Sequence, residues 1–279
     1  MILRDVLKRG EEELLAAGVP EAGLNAWYLF SWCFAMERSE YFLQWDSEAE
    51  EEKYRKYRDM LALRKTRIPL EYIIHETEFM GLTFYVDEHV LIPRQDTEIL
   101  VEEVLAYSAG KDILDLCTGS GCIGISLAAL GNCHSVTVSD LSEEALQIAR
   151  KNAVDNKAQV IAVQSDLFDC ISGKFDIIVS NPPYIPSKEI LTLMPEVRDH
   201  EPRIALDGET DGLSFYKTII RESGSFLREK GMLVFEIGCD QGGDVSALME
   251  QAGFQRIEIK RDLAGLNRVV RGEWSNKCG

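Results

Sequence analysis

Ile113-Leu-Asp-Leu-Cys-Thr-Gly-Ser-Gly-Cys-Ile-Gly124 is the stretch that decides how this chain folds. Its first four residues suit the end of a buried strand, and the glycine-rich turn after them opens a segment, 122–130, patterned as a helix. Glycines in such a turn let the backbone approach a ligand closely. A strand that feeds a helix in this way is the unit of a parallel α/β sheet, whose ligands bind beyond the carboxyl ends of the strands.

The same alternation runs outward from Pro93 to the far end of the chain. The patterns predict helix 95–108, strand 112–116, helix 122–130, strand 135–139, helix 142–155 and strands 159–164 and 175–180. Helix 213–228, strand 232–237, helix 242–252 and strands 254–260 and 268–272 follow. Between Pro69 and Pro93 the apolar period changes to two, in Glu71 to Phe79 and Leu82 to Asp87 around Met80-Gly81, which reads as a β-hairpin. Upstream, apolar residues at three- and four-residue spacing predict helices through Leu3, Val6, Leu7, Leu14 and Leu15, from Glu21 to about Met36, and from Glu48 to Lys65. The middle one carries Trp27, Tyr28, Phe30 and Trp32 and is too apolar all round to be exposed on most sides. The expected organisation is a small helical domain over 1–67, a hairpin linker over 68–92 and an α/β domain over 93–279.

A chain of 279 residues is long enough for a full-sized domain carrying a smaller one. With 46% hydrophobic and 28% charged residues it reads as soluble and globular, without a membrane span or targeting leader, so a cytoplasmic location is expected. Its seven cysteines, at 33, 117, 122, 133, 170, 239 and 278, form no Cys-x-x-Cys pair, so neither a zinc site nor a disulfide framework is expected. A net charge of −17 argues against sequence-independent affinity for nucleic acid, without excluding a local basic patch such as Arg64, Lys65 and Arg67.

Gly119-Ser-Gly-Cys-Ile-Gly124 also matches the dinucleotide fingerprint, with Asp140 at the end of the next strand, where a ribose-binding acid is expected. Asp115 helps to choose the cofactor, because a carboxylate just before the turn disfavours a pyrophosphate. S-adenosylmethionine has no phosphate and carries a sulfonium and an amino group, which an acidic pocket favours. On that reading Cys117, Thr118, Gly119, Ser120 and Gly121 cradle the cofactor beside Asp115. Asp140 takes its ribose hydroxyls, and Asp166 and Leu167 flank its adenine. Plainer uses stand beside these: Asp115 as a brace for the loop and Asp140 as a cap of the helix that follows.

Asn181-Pro182-Pro183-Tyr184 directly follows the strand Phe175 to Ser180. Two prolines remove competing N–H donors, the Asn181 oxygen adds an acceptor, and Tyr184 offers a flat face. Such a loop suits a planar NH2 group, whether of an amide or of a nucleobase, and Pro-Pro is also an ordinary strand stop.

Together these residues look like a class I S-adenosylmethionine-dependent methyltransferase, with a Rossmann-like, mostly parallel sheet. Leu91 to Glu98, Asp115 to Gly121, Val179 to Ile185 and Glu201 to Gly208 resemble, in order, the PrmC/HemK family, as do Glu236-Ile-Gly238 and Asp262-Leu-Ala-Gly265. The resemblance spans about residues 67–272. It implies methyl transfer to the side-chain nitrogen, N5, of the glutamine in the Gly-Gly-Gln motif of peptide chain release factors. It further implies that the amino-terminal domain recognises the substrate; a monomer with no stable nucleic acid or membrane partner is expected. Cys117 stands where the family usually has Gly, Gln95 where it has Pro, and Asn267 where it has Asp. In the mechanism this suggests, Asn181 Oδ1 and the Pro182 carbonyl accept the two amide N–H bonds, Asn181 also reaching the cofactor. Pro183 completes the loop, and Tyr184 packs on the amide plane. The nearest rival is methylation of an exocyclic base amine in RNA or DNA. An NAD-dependent dehydrogenase follows, favoured by the glycine fingerprint alone, and a non-catalytic module leaves the Asn181 loop without a job.

Overall fold

Helix α1 (Leu3–Ala16) turns Leu3, Val6, Gly10 and Leu14 inward in the computed structural model, which describes residues 1–275. Cys278 lies outside the described residues. Helices α2 (Ala22–Phe34), α3 (Arg38–Gln44), α4 (Glu51–Lys65) and α5 (Leu70–Ile74) complete the amino-terminal unit, Met1–His75, together with Met194–His200, which carries a short helix, α9 (Pro195–His200). Gly10 is where Tyr57 of α4 comes close: a Cβ there would lie 1.9 Å from its hydroxyl, which donates to the Ala26 carbonyl of α2 at 3.2 Å.

Two readings change in this unit. Residues 70–74 are helical rather than extended. Pro69 stands at the helix N-cap, where its missing N–H costs nothing, and Tyr72 and Ile73 are buried by it. The hairpin is thereby reduced to β1 (Thr77–Phe79) and β2 (Leu82–Phe84). The basic patch is also absent as a free surface. Arg64 and Arg67 both close on Glu196, at 2.9 Å from Nη2 of Arg64 and 2.7 Å from Nη2 of Arg67, while Lys65 pairs with Glu13 at 2.8 Å. Desolvation works against the Glu196 charge, but hydrogen bonds from Arg67 and Arg64 overcome it and hold the carboxyl down at about 2.

The second unit holds Glu76–Leu193 and the chain from Glu201 onward. Its sheet orders β5 (Ile161–Gln164), β4 (Ser135–Asp140), β3 (Asp112–Leu116), β6 (Phe175–Ser180), β7 (Leu227–Glu236), β9 (Asn267–Glu273) and β8 (Gln255–Arg261). The first five are parallel, and β9 is antiparallel to both its neighbours. Buried side chains alternate along the central strands, Ile113, Ile177 and Val179 entering one core and Leu114, Leu116 and Ile178 the other. Helices α6 (Gln95–Leu105), α7 (Cys122–Leu130), α8 (Glu143–Asp155), α10 (Ser214–Ser223) and α11 (Gly242–Ala252) complete the unit. The expected helix 213–228 stops at Ser223 because Leu227 already pairs with Phe175, five residues before the strand start read from sequence. Among the described residues no helix is long and apolar enough to cross a membrane.

From β3 the chain winds outward through β4 and β5 on one side, then returns to β6 and β7 on the other. The switch point therefore lies between β3 and β6, where open α/β sheets place their ligands. Leu116 pairs with Ser180, so both strands end level and the glycine loop and Asn181 start side by side.

Candidate active site

A cleft of about 990 Å3, its open mouth included, occupies the switch point. Its lining takes in Leu116–Ser120, Ser139–Ser142, Ser165–Leu167, Asn181 and Pro183, with Arg94, Thr97 and Phe215 among the residues opposite. Of the predicted cofactor residues, Cys117, Thr118, Gly119, Ser120, Asp140, Asp166, Leu167 and Asn181 are thus brought together.

Asp115 is not in that lining. It is fully buried behind the loop, where its Oδ2 accepts the Thr118 hydroxyl at 2.5 Å and the Gly124 N–H at 2.9 Å. Burial pushes its carboxyl up to about 7, with those two hydrogen bonds pulling the other way. Its geometry supplies the bracing role, and it stands behind the loop rather than in the cleft lining. Gly121 is likewise outside the lining. It takes φ +83° at the N-cap of α7, and a Cβ there would lie 2.6 Å from Ile125 Cδ1, so the helix start requires it. Asp140 does face the cleft, accepting the Gly119 N–H at 2.8 Å through Oδ2 and the Ser142 N–H at 3.0 Å through Oδ1. Burial raises its carboxyl above the usual range, opposed by these backbone donors. Asp140 therefore ties the second strand's end to the glycine loop while keeping a further lone pair on each oxygen.

The Asn181 loop is held differently. Asn181 and Pro183 line the cleft, whereas Pro182 is buried and Tyr184 packs half-buried against the second core, beside the lining rather than in it. Ile185 N–H donates to the Leu206 carbonyl at 3.0 Å, and Gly208 N–H donates back to the Ile185 carbonyl at 2.9 Å. A Cβ on Gly208 would fall 2.8 Å from Tyr184 Cα, and one on Gly212 would fall 2.3 Å from Tyr184 O. Gln241 Nε2 donates to that same Tyr184 oxygen at 3.0 Å. Burial, aided by the Glu236 charge, pushes the Tyr184 hydroxyl up to about 12.

Sequence reasoning gave no role to four residues around this loop. Thr97 Oγ1 lies 3.5 Å from Asn181 Nδ2. Glu236, at the end of β7, is 2% exposed, its Oε2 has no hydrogen-bond partner among the described residues, and desolvation pushes its carboxyl up to about 7. Arg268 spans Asp262 at 3.1 Å and Asp96 at 3.0 Å. Arg94, in the lining, pairs with the buried Glu201, which joins two motifs that sequence could only place in order. The available signal was Glu236 itself, an acid closing the otherwise apolar run Met232 to Phe235, just as Asp115 interrupts its own strand.

Models of known families match the chain in two places: a methyltransferase small domain over residues 94–196 and a PrmC N-terminal domain over residues 5–74. A release factor glutamine methyltransferase of Clostridium botulinum is 39% identical over 97% of this chain and 99% of its own length. One from Fusobacterium nucleatum is 41% identical over 95% of this chain and 77% of its own length. The chain belongs to the release factor glutamine methyltransferase family. Solved structures similar in fold include a methyltransferase of Pyrococcus furiosus, with TM-score 0.57 and 18% identity over 77% of this chain and 99% of that one. Another is the 16S rRNA N2 G1207 methyltransferase of Thermus thermophilus, with TM-score 0.52 and 18% identity over 71% of this chain and 49% of that one. In this release factor glutamine methyltransferase family member, Cys117 adopts φ +58°, a left-handed conformation that favours glycine. Gln95 is the exposed first residue of α6, where proline's missing N–H is harmless, so the departure costs only preorganisation. Asn267 lies outside the cleft lining, its amide near Gly242.

Proposed function

We infer that this chain transfers the methyl group of S-adenosyl-L-methionine to the side-chain amide nitrogen, N5, of the glutamine in the Gly-Gly-Gln motif of peptide chain release factors. Family membership over nearly the whole chain supports the acceptor, and the cleft's own chemistry fits the donor. Asp140 and Asp166 face one guanidinium, Arg94, which Glu201 already neutralises. A pyrophosphate meets net negative charge there, whereas a sulfonium and an amino group meet attraction. Gly119, at φ +56°, has open space where a Cβ would stand, so its backbone can come against a ligand.

Bound in this cleft, the cofactor supplies a methyl group made electrophilic by its sulfonium. We assign the loop Cys117 to Ser120 to cradling it, Asp140 to its ribose hydroxyls, and Asp166 and Leu167 to the sides of its adenine. Asn181 Oδ1 and the Pro182 carbonyl accept the two N–H bonds of the acceptor amide, which aims the nitrogen at the methyl group. An amide nitrogen is a poor nucleophile, and positive charge builds on it as its bond to the methyl carbon forms and the carbon–sulfur bond breaks, after which one N–H proton leaves to solvent. Acceptors aimed at its N–H bonds stabilise that charge. Pro183 lines the cleft and Tyr184, beside it, packs on the amide plane. The helical unit recognises the protein substrate, with Tyr28, Trp32, Phe42 and Trp45 exposed on it, and a substrate that acts in translation fits a cytoplasmic location.

The observation that carries this reading is Asn181 in the cleft lining at the end of β6, level with the glycine loop. Against a nucleobase acceptor stands the loss of the basic patch, since Arg64 and Arg67 are committed to Glu196 and Lys65 to Glu13. Labelled S-adenosylmethionine offered with release factor, its Gln→Ala variant and nucleic acid tests it. Label on the release factor alone, lost with the Gln change, is expected; label on nucleic acid alone overturns the reading.

A further inference from the structure

Asn181 can hold an amide N–H only with its oxygen toward the substrate, because its Nδ2 end offers donors and no acceptor. A carboxamide has nearly the same shape after a half-turn about its last bond, so its neighbours choose the orientation. Thr97 Oγ1, 3.5 Å from Nδ2, cannot choose alone, since a hydroxyl both donates and accepts. Glu236 can. It closes β7 next to β6, Phe235 pairing with Ser180, and it is buried with Oε2 unpartnered among the described residues. Thr97 and Asn181 are the hydrogen-bonding side chains that favour its ionised form. An ionised carboxylate only accepts, so both neighbours turn donors to it, Asn181 its Nδ2 amide and Thr97 its hydroxyl proton, which leaves a Thr97 lone pair for Asn181 Nδ2 as well. The Asn181 oxygen is then left facing the cleft.

We propose that Glu236 sets the polarity of a hydrogen-bonded cluster of Glu236, Thr97 and Asn181, and so holds the Asn181 oxygen toward the acceptor amide. This rests on the methyl-transfer reading above, and Glu236 is a positioning residue in it. A buried charge with one unpartnered oxygen is expensive, and a purely structural strand end gains nothing from it. The groups facing Glu236 are Asp96 and Thr97 from α6, Cys122 from α7, Asn181 and Tyr184 from the loop after β6, Tyr216 from α10 and Arg268 from β9. Arg268 favours its charge and Asp96 opposes it. Burial raises the carboxyl to about 7, so protonation is within reach, and a protonated Glu236 can donate to Thr97 or to Asn181 Oδ1 and so turn the amide over. Turnover then falls as pH drops through that value.

The test measures kcat and cofactor KM on release factor for wild type, Glu236→Gln, Asn181→Ala and the double variant, with single-turnover rates for the slow ones. Glu236→Gln is expected to lower kcat by about 10- to 100-fold with cofactor KM changed less than about twofold. In the Asn181→Ala background the same change costs less than about threefold, because the residue it acts through is gone. The acid limb of the wild-type kcat profile disappears in Glu236→Gln. Thr97→Val, which removes one of the two donors to Glu236, gives a smaller loss of the same pattern and serves if Glu236→Gln does not fold. Equal losses in both backgrounds, or an acid limb unchanged in the variant, overturn the proposal. Wild-type protein that leaves the release factor unlabelled overturns the underlying reading and this proposal together. Full wild-type labelling with additive losses overturns the proposal alone.

Discussion

The two loops that meet at the sheet's switch point are secured on different plans. The glycine loop is held mostly from nearby in sequence: Asp115 Oδ2 takes the Thr118 hydroxyl three residues on and the Gly124 N–H nine residues on, and Asp140 takes the Gly119 N–H across 21 residues. The Asn181 loop is held by distant segments. Gln241 reaches Tyr184 across 57 residues, Thr97 lies 84 residues from Asn181, and Leu206 to Gly212 back the chain at Tyr184 and Ile185. The glycine loop is thus a nearly self-contained piece of β-α-β structure, whereas the Asn181 loop needs the rest of the sheet to exist. Damage to the second should change the chemistry and spare cofactor affinity.

Asn181→Ala is the sharpest way to break that contrast. Removing one acceptor aimed at developing charge lowers kcat by roughly 10²- to 10³-fold, while calorimetric titration with the cofactor shows unchanged affinity. Equal loss of cofactor affinity would merge the two loops into one functional piece. Next in size is Gly212→Ala, 31 residues from Asn181 and outside the cleft lining. At φ +70° its Cβ would lie 2.3 Å from Tyr184 O and 2.8 Å from Gln241 Nε2, so the loop must shift. A displacement of that order costs about 10²-fold in kcat, again at constant cofactor affinity. An unaltered kcat would show that the distant segment does not position the loop.

The same contrast explains what the sequence made legible. Ile113 to Gly124 could be read from its own residues because strand, turn, brace and helix start all fall within twelve positions. Even there, sequence could not tell which way Asp115 turns, since a carboxylate at a strand end can face ligand or loop. Asn152 of α8, fully buried with its Nδ2 donating to the Ser120 carbonyl at 2.9 Å, also steadies the glycine loop, yet nothing near it in sequence says so. Around Asn181 the residue types were readable and their supports were not. Glu201 to Gly208 was recognisable only as a motif, because its task, pairing Glu201 with Arg94 and backing Ile185, appears when the chain is folded. Residues 70–74 misled for a related reason. Tyr72-Ile-Ile74 follows Pro69 in a span too short for helical and extended periods to separate.

Asp140→Ala tests the contrast from the cofactor side. It removes the acceptors assigned to the ribose and the tie to the Gly119 N–H. Cofactor KM rises by about tenfold with kcat within a few-fold of wild type, the pattern of lost ground-state binding. A fall in kcat without a rise in KM would mean that Asp140 reaches the acceptor side after all.

Cys117→Gly has the smallest expected effect and probes whether the self-contained loop is relaxed. At φ +58° a residue with a Cβ sits in the left-handed region, at a cost of about 1–2 kcal/mol that glycine escapes. Glycine returns part of this through the larger freedom of the unfolded chain, about 0.5–1 kcal/mol. The net gain is between about 0 and 1.5 kcal/mol, or an upward shift of at most about 3 °C in Tm for a chain of this size. Because Cys117 also lines the cleft, losing its side chain lets the backbone come nearer the cofactor, and affinity rises by about two- to threefold. Thermal melts and cofactor titration measure the two effects separately. A lower Tm would mean that packing of the thiol compensates for the strained backbone, so the loop that looks local depends on its surroundings as the Asn181 loop does.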